Sequence, residues 1–390
     1  MNTVLKKLQL ISLGLLLTFS LHAQKSSKPL SFPLTSEYWT AKTDNVEFIT
    51  HKSTKAVKSS DDQPFQIVLK DFDFSIGIIE FDVELKGRGF PGINFHLDEA
   101  NGNSEVYYLR YFGQLSPTSR TTMQYAAFID GVNLWDLTDE YQGAAALTEN
   151  TWNHIKMVIS ENQMKVYVNN MDRAALKVPV LEGLTKTGKI GLNGNVIYAN
   201  FKIIPDETED VAQGVGYDPT YNDPHYLRNW EVQEPIEFST GKDPMKQINT
   251  SPGVIIDSAY FDGSKTWSPL TAKHRGMVNL TEQFGATDTG KRRLTWLRTT
   301  ITSGREQEKL LRMGFSDEVW VFINGQPLHQ NKNYYGSPGM KEPRGRCTLD
   351  NTKFKVPLKE GENEILIALS NYFFGWGLTA RWEDTSGLRY

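Results

Sequence analysis

The chain has one cysteine, Cys347, in 390 residues. A single thiol makes no internal disulfide and no thiolate cluster for zinc, so burial and hydrogen bonding must hold the fold. Histidine offers a metal little: His22, His51, His96, His154, His225, His274 and His329 include no pair at a ligand spacing of i, i+2 or i, i+4. An excess of one charge is missing too. The net charge is −4 with both signs interspersed and no basic stripe to track phosphates, which excludes nucleic acid as an expected partner. No Gly-x-Ser-x-Gly elbow, P-loop or dinucleotide fingerprint occurs, so the hydrolase, kinase and dehydrogenase classes that such motifs mark are removed.

Long apolar runs are absent beyond the first residues. Lys6 and Lys7 precede an apolar run from Leu8 to Leu21, and Leu21-His22-Ala23 fits a cleavage site, so residues 1–23 read as a secretory signal peptide. The run is short for a membrane helix, which needs about 20 apolar residues. No cysteine stands at the cleavage site to carry a lipid. The expectation is a mature chain from Gln24, with no membrane span after signal removal, in the periplasm or outside the cell.

Helical periodicity is the last absence: outside the leader no stretch carries a 3.6-residue apolar stripe over three turns. In its place, period-2 alternation runs from Phe65 onward. Turn signals punctuate it at Asn101-Gly102, Asp130-Gly131, Asn169-Asn170, Asp262-Gly263 and Asn324-Gly325. This pattern predicts an all-β protein of sandwich or jelly-roll type, because a parallel sheet would need intervening helices. The length exceeds what one hydrophobic core usually serves. Residues 31–205 form the expected first domain, 206–225 a Pro/Gly/Asp-rich linker, 226–384 the second domain and 385–390 a short tail.

In the first domain, Tyr107-Tyr108-Leu109-Arg110, Gln124-Tyr125, Asp130-Gly131-Val132-Asn133-Leu134-Trp135, Trp152-Asn153-His154-Ile155-Lys156 and Lys165-Val166-Tyr167-Val168-Asn169 occur in order. This series resembles the concanavalin A-like, laminin-G-like sandwich of exported bacterial proteins. The resemblance implies two curved antiparallel sheets with a glycan-binding concave face, in a superfamily that holds lectins, glycosidases and adhesion modules. In the second domain, Trp230, Gly276-Met277-Val278-Asn279-Leu280, the Asp317 to Gly325 segment and Asn371-Tyr372-Phe373-Phe374-Gly375-Trp376-Gly377-Leu378 resemble the galactose-binding-like jelly roll that accompanies glycoside hydrolases. That family's module packs on a partner domain more often than it binds sugar strongly.

Two constellations are candidate sites. Glu80, Asp82 and Glu84 share one face of a strand, the Glu-x-Asp-x-Glu spacing that retaining glycosidases of the β-glucanase family use as nucleophile, tuning acid and acid/base. The same pattern is what the wet face of any sandwich strand looks like. The second constellation is polar and aromatic. Asn94 and His96 share a face opposite Ile93 and Phe95, Tyr108 and Arg110 fall together, and Gln124 and Trp135 are expected nearby. Together they would line a groove with a stacking ring, hydrogen-bond donors and a fixed cation, which suits a sugar or uronic acid. Tyr334, Tyr335 and Trp376 are candidates for a second aromatic platform. Aromatics reach 12% of the chain, with 9 Trp and 16 Tyr, so most of them must fill cores.

No cofactor is expected. Asp71 and Asp73, or Asp218 and Asp223, supply oxygens of the kind calcium takes, so a structural calcium ion stands as an alternative to solvated carboxylates. The reading is an exported glycan-binding or accessory protein that meets a polysaccharide or oligosaccharide on the concave face of the first domain. Its alternatives are a glycoside hydrolase or 3-keto-glycoside-processing enzyme, and a protein–protein adhesion or assembly module with a protein partner.

Overall fold

The structure is a computed structural model that describes residues 28–113, 116–247 and 260–390. The signal-peptide reading lies outside the described residues. The fold is all-β.

Two sheets make the first unit. One is built around the strand Gly77–Leu85, flanked by Asn153–Ile159 and Val196–Pro205. The other runs Met123–Ile129, Asn103–Leu109, Gly92–Asp98, Lys189–Gly194 and Phe65–Leu69, all antiparallel. Alternation decides what each strand buries. Phe81, Val83, Ile155 and Met157 of the first sheet meet Ile67, Ile93, Phe95, Tyr107 and Tyr125 of the second in one core. The opposite face of the second sheet turns Asn94, Tyr108 and Asn193 into a groove.

The second unit also pairs two sheets. The larger is centred on Arg293–Ser303 and Gly361–Asn371, the smaller on Gln307–Ser316 and Gly377–Trp382. In the larger sheet, Val319, Val321 and Ile323 enter the core between the sheets, while Trp320 and Phe322 lie under a cover of Phe238, Tyr260 and Phe261. Burial on both faces is why Val319-Trp320-Val321-Phe322-Ile323 is an unbroken apolar run. Of the described residues, no helix is long and apolar enough to cross a membrane.

The two units are docked. Ile129, Leu134 and Leu137 of the first pack on Met277 and Cys347 of the second, where burial pushes the lone thiol's pKa well above its usual value. Arg275 bonds Leu137 O at 3.2 Å and pairs with Glu182 at 2.7 Å and with Glu140. Gly375 sits so close to the first unit that a Cβ there would lie 2.6 Å from Asp136 Oδ1 and 2.7 Å from Leu137 Cγ.

Two segment expectations change. Residues 206–225 do more than link the two units, since they pack on both. Val211 is buried against Ile78, Val158 and Tyr167, the Ser160 hydroxyl donates to Ala212 O at 2.7 Å, and Asp223 takes Arg381 of the second unit at 2.9 Å. Nor is the end of the chain a tail, since Leu388 and Arg389 pair with Ser303 and Thr302 as an added strand.

Candidate functional site

The groove on the second sheet of the first unit holds about 1580 Å³ and is walled by both units. Its floor comes from strand alternation. Val106, Tyr108 and Ala126 pack with Phe128 and Trp135 on the face away from the core. The far wall is the 335–346 and 373–374 loops of the second unit.

Arg110 is half-buried at the end of the floor and donates to the Tyr108 hydroxyl at 2.9 Å and to Gln124 Oε1. Arg346, buried and from the second unit, donates to the same Gln124 oxygen at 2.9 Å and to Trp135 O at 2.8 Å. With its amide oxygen turned toward the guanidiniums, Gln142 accepts from Arg110 at 2.8 Å and from Arg346 at 2.6 Å. Burial, with Arg110 beside it, lowers the Arg346 pKa to about 10. Each guanidinium also faces a ring: Arg110 stands 5.2 Å from the Tyr108 centroid and Arg346 5.0 Å from that of Trp135.

Aromatic side chains continue the surface on both sides. Phe90 and Phe112 lie edge to face at 5.2 Å, and both are about half exposed at 53% and 50%. Across the groove, Trp135 meets Tyr335 at 5.2 Å and Phe374 at 5.8 Å, while Tyr335 stacks parallel on Phe373. Exposed rings at these positions are what the flat apolar face of a sugar ring would require.

The loop that carries Phe373 and Phe374 is held from below by two buried carboxyls. Asp317 accepts from the Tyr372 and Phe373 amides at 2.7 and 2.8 Å. Asp136, next to Trp135, accepts from the Gly375 amide at 3.0 Å, and the Ser316 hydroxyl contacts both carboxyls at 2.9 and 3.1 Å. Burial raises the Asp136 pKa to about 6 and that of Asp317 to about 7.

Several expected residues belong elsewhere. His96 does not share Asn94's face. A β-bulge between Phe95 and Asp98 turns its ring away, where it stacks on Phe74 and bonds Ser75 O at 2.6 Å. Burial lowers its pKa to about 4. Gln124 is fully buried beneath the groove, so it holds the arginines rather than meeting a ligand. Trp376 is core, with no exposed surface. Tyr334 is tied to Glu318 within a cluster that includes Arg292 and Lys332, and only its neighbour Tyr335 reaches the groove.

Glu80, Asp82 and Glu84 lie on the other sheet, with the core between them and the groove. His154 bonds Asp82 at 2.8 Å, and Lys202 pairs with Glu80 at 2.7 Å. The His154 hydrogen bond and then Lys202 hold Glu80 down at about 2 against its burial. Burial works to raise Glu84, but Lys52, Lys86 and His51 outweigh it and hold this carboxyl at about 2 as well. Glu80 and Glu84 thus stay ionised in ion pairs on the sheet away from the groove, without the raised pKa that the acid of a glycosidase needs. Of the calcium candidates, Asp73 pairs with Lys189, and Asp218 and Asp223 bond protein groups. Among the described residues, no three His, Cys, Asp or Glu side chains gather as a metal site.

The groove residues that alternation could not reveal are Arg346, Phe373 and Phe374, because they arrive from the second unit.

No family model and no curated protein matches the chain. Solved structures similar to it include the carbohydrate-binding module CBM66 from Bacillus subtilis, at 19% identity over 42% of this chain and 91% of that one, with a TM-score of 0.32. A Bacillus subtilis protein of unknown function with a galectin-like fold is 14% identical over 46% of this chain and 97% of that one, at 0.35. The Bacillus licheniformis β-glucanase is 12% identical over 47% of this chain and all of that one, at 0.34.

Proposed function

We propose that this chain is an exported saccharide-binding protein whose ligand lies in the groove between its two units. The observation that carries this reading is the groove itself: an open volume of about 1580 Å³ whose walls present exposed rings from both units above a polar floor. Such rings, left in water, are costly unless something stacks on them. Trp135 and Tyr335 offer flat faces to a pyranose, while Asn94 and Arg110 offer donors for its hydroxyls. Export rests on the reading of residues 1–23 and is tested by cell fractionation.

The function test is a glycan array on the chain, run with and without calcium and repeated on Trp135→Ala and Tyr335→Ala. The reading expects binding to a restricted set of glycans, weakened in both variants. Binding by neither the chain nor its variants would sink it, and binding that needs calcium would point to a structural ion.

A further inference from the structure

We infer that the ligand is acidic: the groove is built to take an oxyanion carried on a sugar, either a uronate carboxylate or a sulfate ester, at Arg110, with the charge of Arg346 beside it. The inference rests on the saccharide reading above and narrows it.

Charge is the first ground. Among the described residues, four arginines line the groove, Arg110, Arg120, Arg344 and Arg346, against one lining carboxylate, Glu342. Glu342 is exposed and accepts from the Arg344 amide at 3.0 Å. Asp139, beside the groove, is shared by Arg346 and Arg120 at 3.2 Å each. Arg110 makes no ion pair among the described residues. Its neutral acceptors are the Tyr108 hydroxyl and the Gln124 and Gln142 amides.

Geometry is the second ground. Arg110 and Arg346 come from different units, yet both donate to Gln124 Oε1, and the lowered pKa of Arg346 is partly the repulsion between them. Arg346 has Asp139 as a counter-ion but Arg110 has none among the described residues, so an anion bound at Arg110 would offset the repulsion between the two guanidiniums. Rings stand behind both cations, so they cannot swing away into solvent without losing contact with Tyr108 and Trp135. Arg110 donates from Nη2 to Tyr108 and Gln124 and from Nη1 to Gln142, which leaves its Nε and one Nη1 hydrogen to meet carboxylate or sulfate oxygens with charge-assisted hydrogen bonds. Flanked by stacking rings, it selects an acidic sugar over a neutral one.

The test is isothermal titration of the chain with uronate oligosaccharides of the galacturonate, mannuronate, guluronate and glucuronate types, each beside its carboxyl-reduced neutral counterpart, and with a sulfated galactan oligosaccharide beside its desulfated form. The inference expects at least one acidic ligand to bind ten-fold or more tighter than its neutral partner, with affinity falling as salt rises. Arg110→Ala, at a half-exposed position, should weaken the acidic ligand at least ten-fold more than its neutral partner and so abolish that preference. Trp135→Ala should weaken acidic and neutral ligands together. Circular dichroism checks that both variants fold. Uronate or sulfate preference identifies the source of the anion. Equal binding of acidic and neutral partners overturns the inference and leaves the saccharide reading standing, whereas binding of no oligosaccharide overturns both.

Discussion

Trp135 and Trp376 are the same side chain put to opposite uses, and their surroundings decide which. Trp135 lies partly open on the sheet's outer face, edge-on to Tyr335, with a guanidinium behind it. Trp376 has no exposed surface and packs in the core of the second unit, with Arg293 5.1 Å from its ring. Trp376→Ala should therefore cost about 3–5 kcal/mol of stability in urea unfolding, the usual cost of a large core cavity. Trp135→Ala should instead lower saccharide affinity by roughly ten-fold, the worth of one aromatic contact, with little change in the unfolding midpoint. The acidic strand makes the converse case. Glu80→Gln removes a carboxylate paired to His154 and Lys202 on the far sheet, so binding measured by titration should be unchanged. A loss of binding in that variant would show that the far sheet belongs to the site after all.

At the scale of the element, alternation along Gly92–Asp98 places Asn94 toward the groove and Ile93 and Phe95 in the core, as its sequence indicates. The same rule misplaces His96, because one extra residue at the bulge inverts the side on which the next side chain falls. Nothing in the local pattern marks that bulge. The loop after Gly361–Asn371 shows how an element can be set by its neighbours. Its amides are held by Asp317 and Asp136, and Gly375 leaves no room for a side chain against the first unit. Gly375→Ala must push Asp136 and Leu137 away. It is expected to lower the melting temperature and to weaken saccharide binding by displacing Phe373 and Phe374, as differential scanning and titration of one sample would report.

Across the whole molecule, buried titrating groups make stability depend on pH with a definite sign. Asp136, Asp317 and Glu105 are raised by burial to about 6, 7 and 7, from ordinary values of 3.8, 3.8 and 4.5. Between the two values the folded chain keeps protons that the unfolded chain has released, so stability falls as pH rises from about 4 to about 7. His154, raised to about 9 by Asp82 and then Glu80, adds stability that is full below 6.5 and lost as pH climbs through 9. Glu80 and Glu84, held at about 2, lose theirs only as pH drops below about 4.5 toward 2. His96, lowered to about 4, adds stability as pH rises from 4 to 6.5, but it is one group against the three raised carboxyls, so the melting temperature should peak near pH 4 to 5 and fall by roughly 5 °C or more by pH 8. Asp317→Asn should flatten the part of that fall between pH 4 and 7. A melting temperature that rises steadily from pH 5 to 8 would contradict this assignment. Two of these carboxyls brace the loop across the domain contact, so loosening at high pH should also show as faster proteolysis at residues 372–375.

The amino-acid sequence by itself determined the all-β class, because period-2 alternation and turn residues act over a few neighbours. For the same reason it placed Asn94 on one side of its strand, and Tyr108 on one side of its own together with Arg110, just past that strand's end. It also accounts for the apolar run at Val319–Ile323, though not for the cover of Phe238 and Tyr260 that makes both faces dry. Only the tertiary structure decided that Arg346 reaches Trp135 and Gln124 across 211 and 222 residues of chain. It also decided that Tyr335 and Phe373 wall a groove rather than a separate platform, and that Trp376 is core. Docking of two units depends on the shape and charge of whole surfaces, here Gly375 against Asp136 and Arg275 against Glu182, and no local period in the sequence encodes such a match.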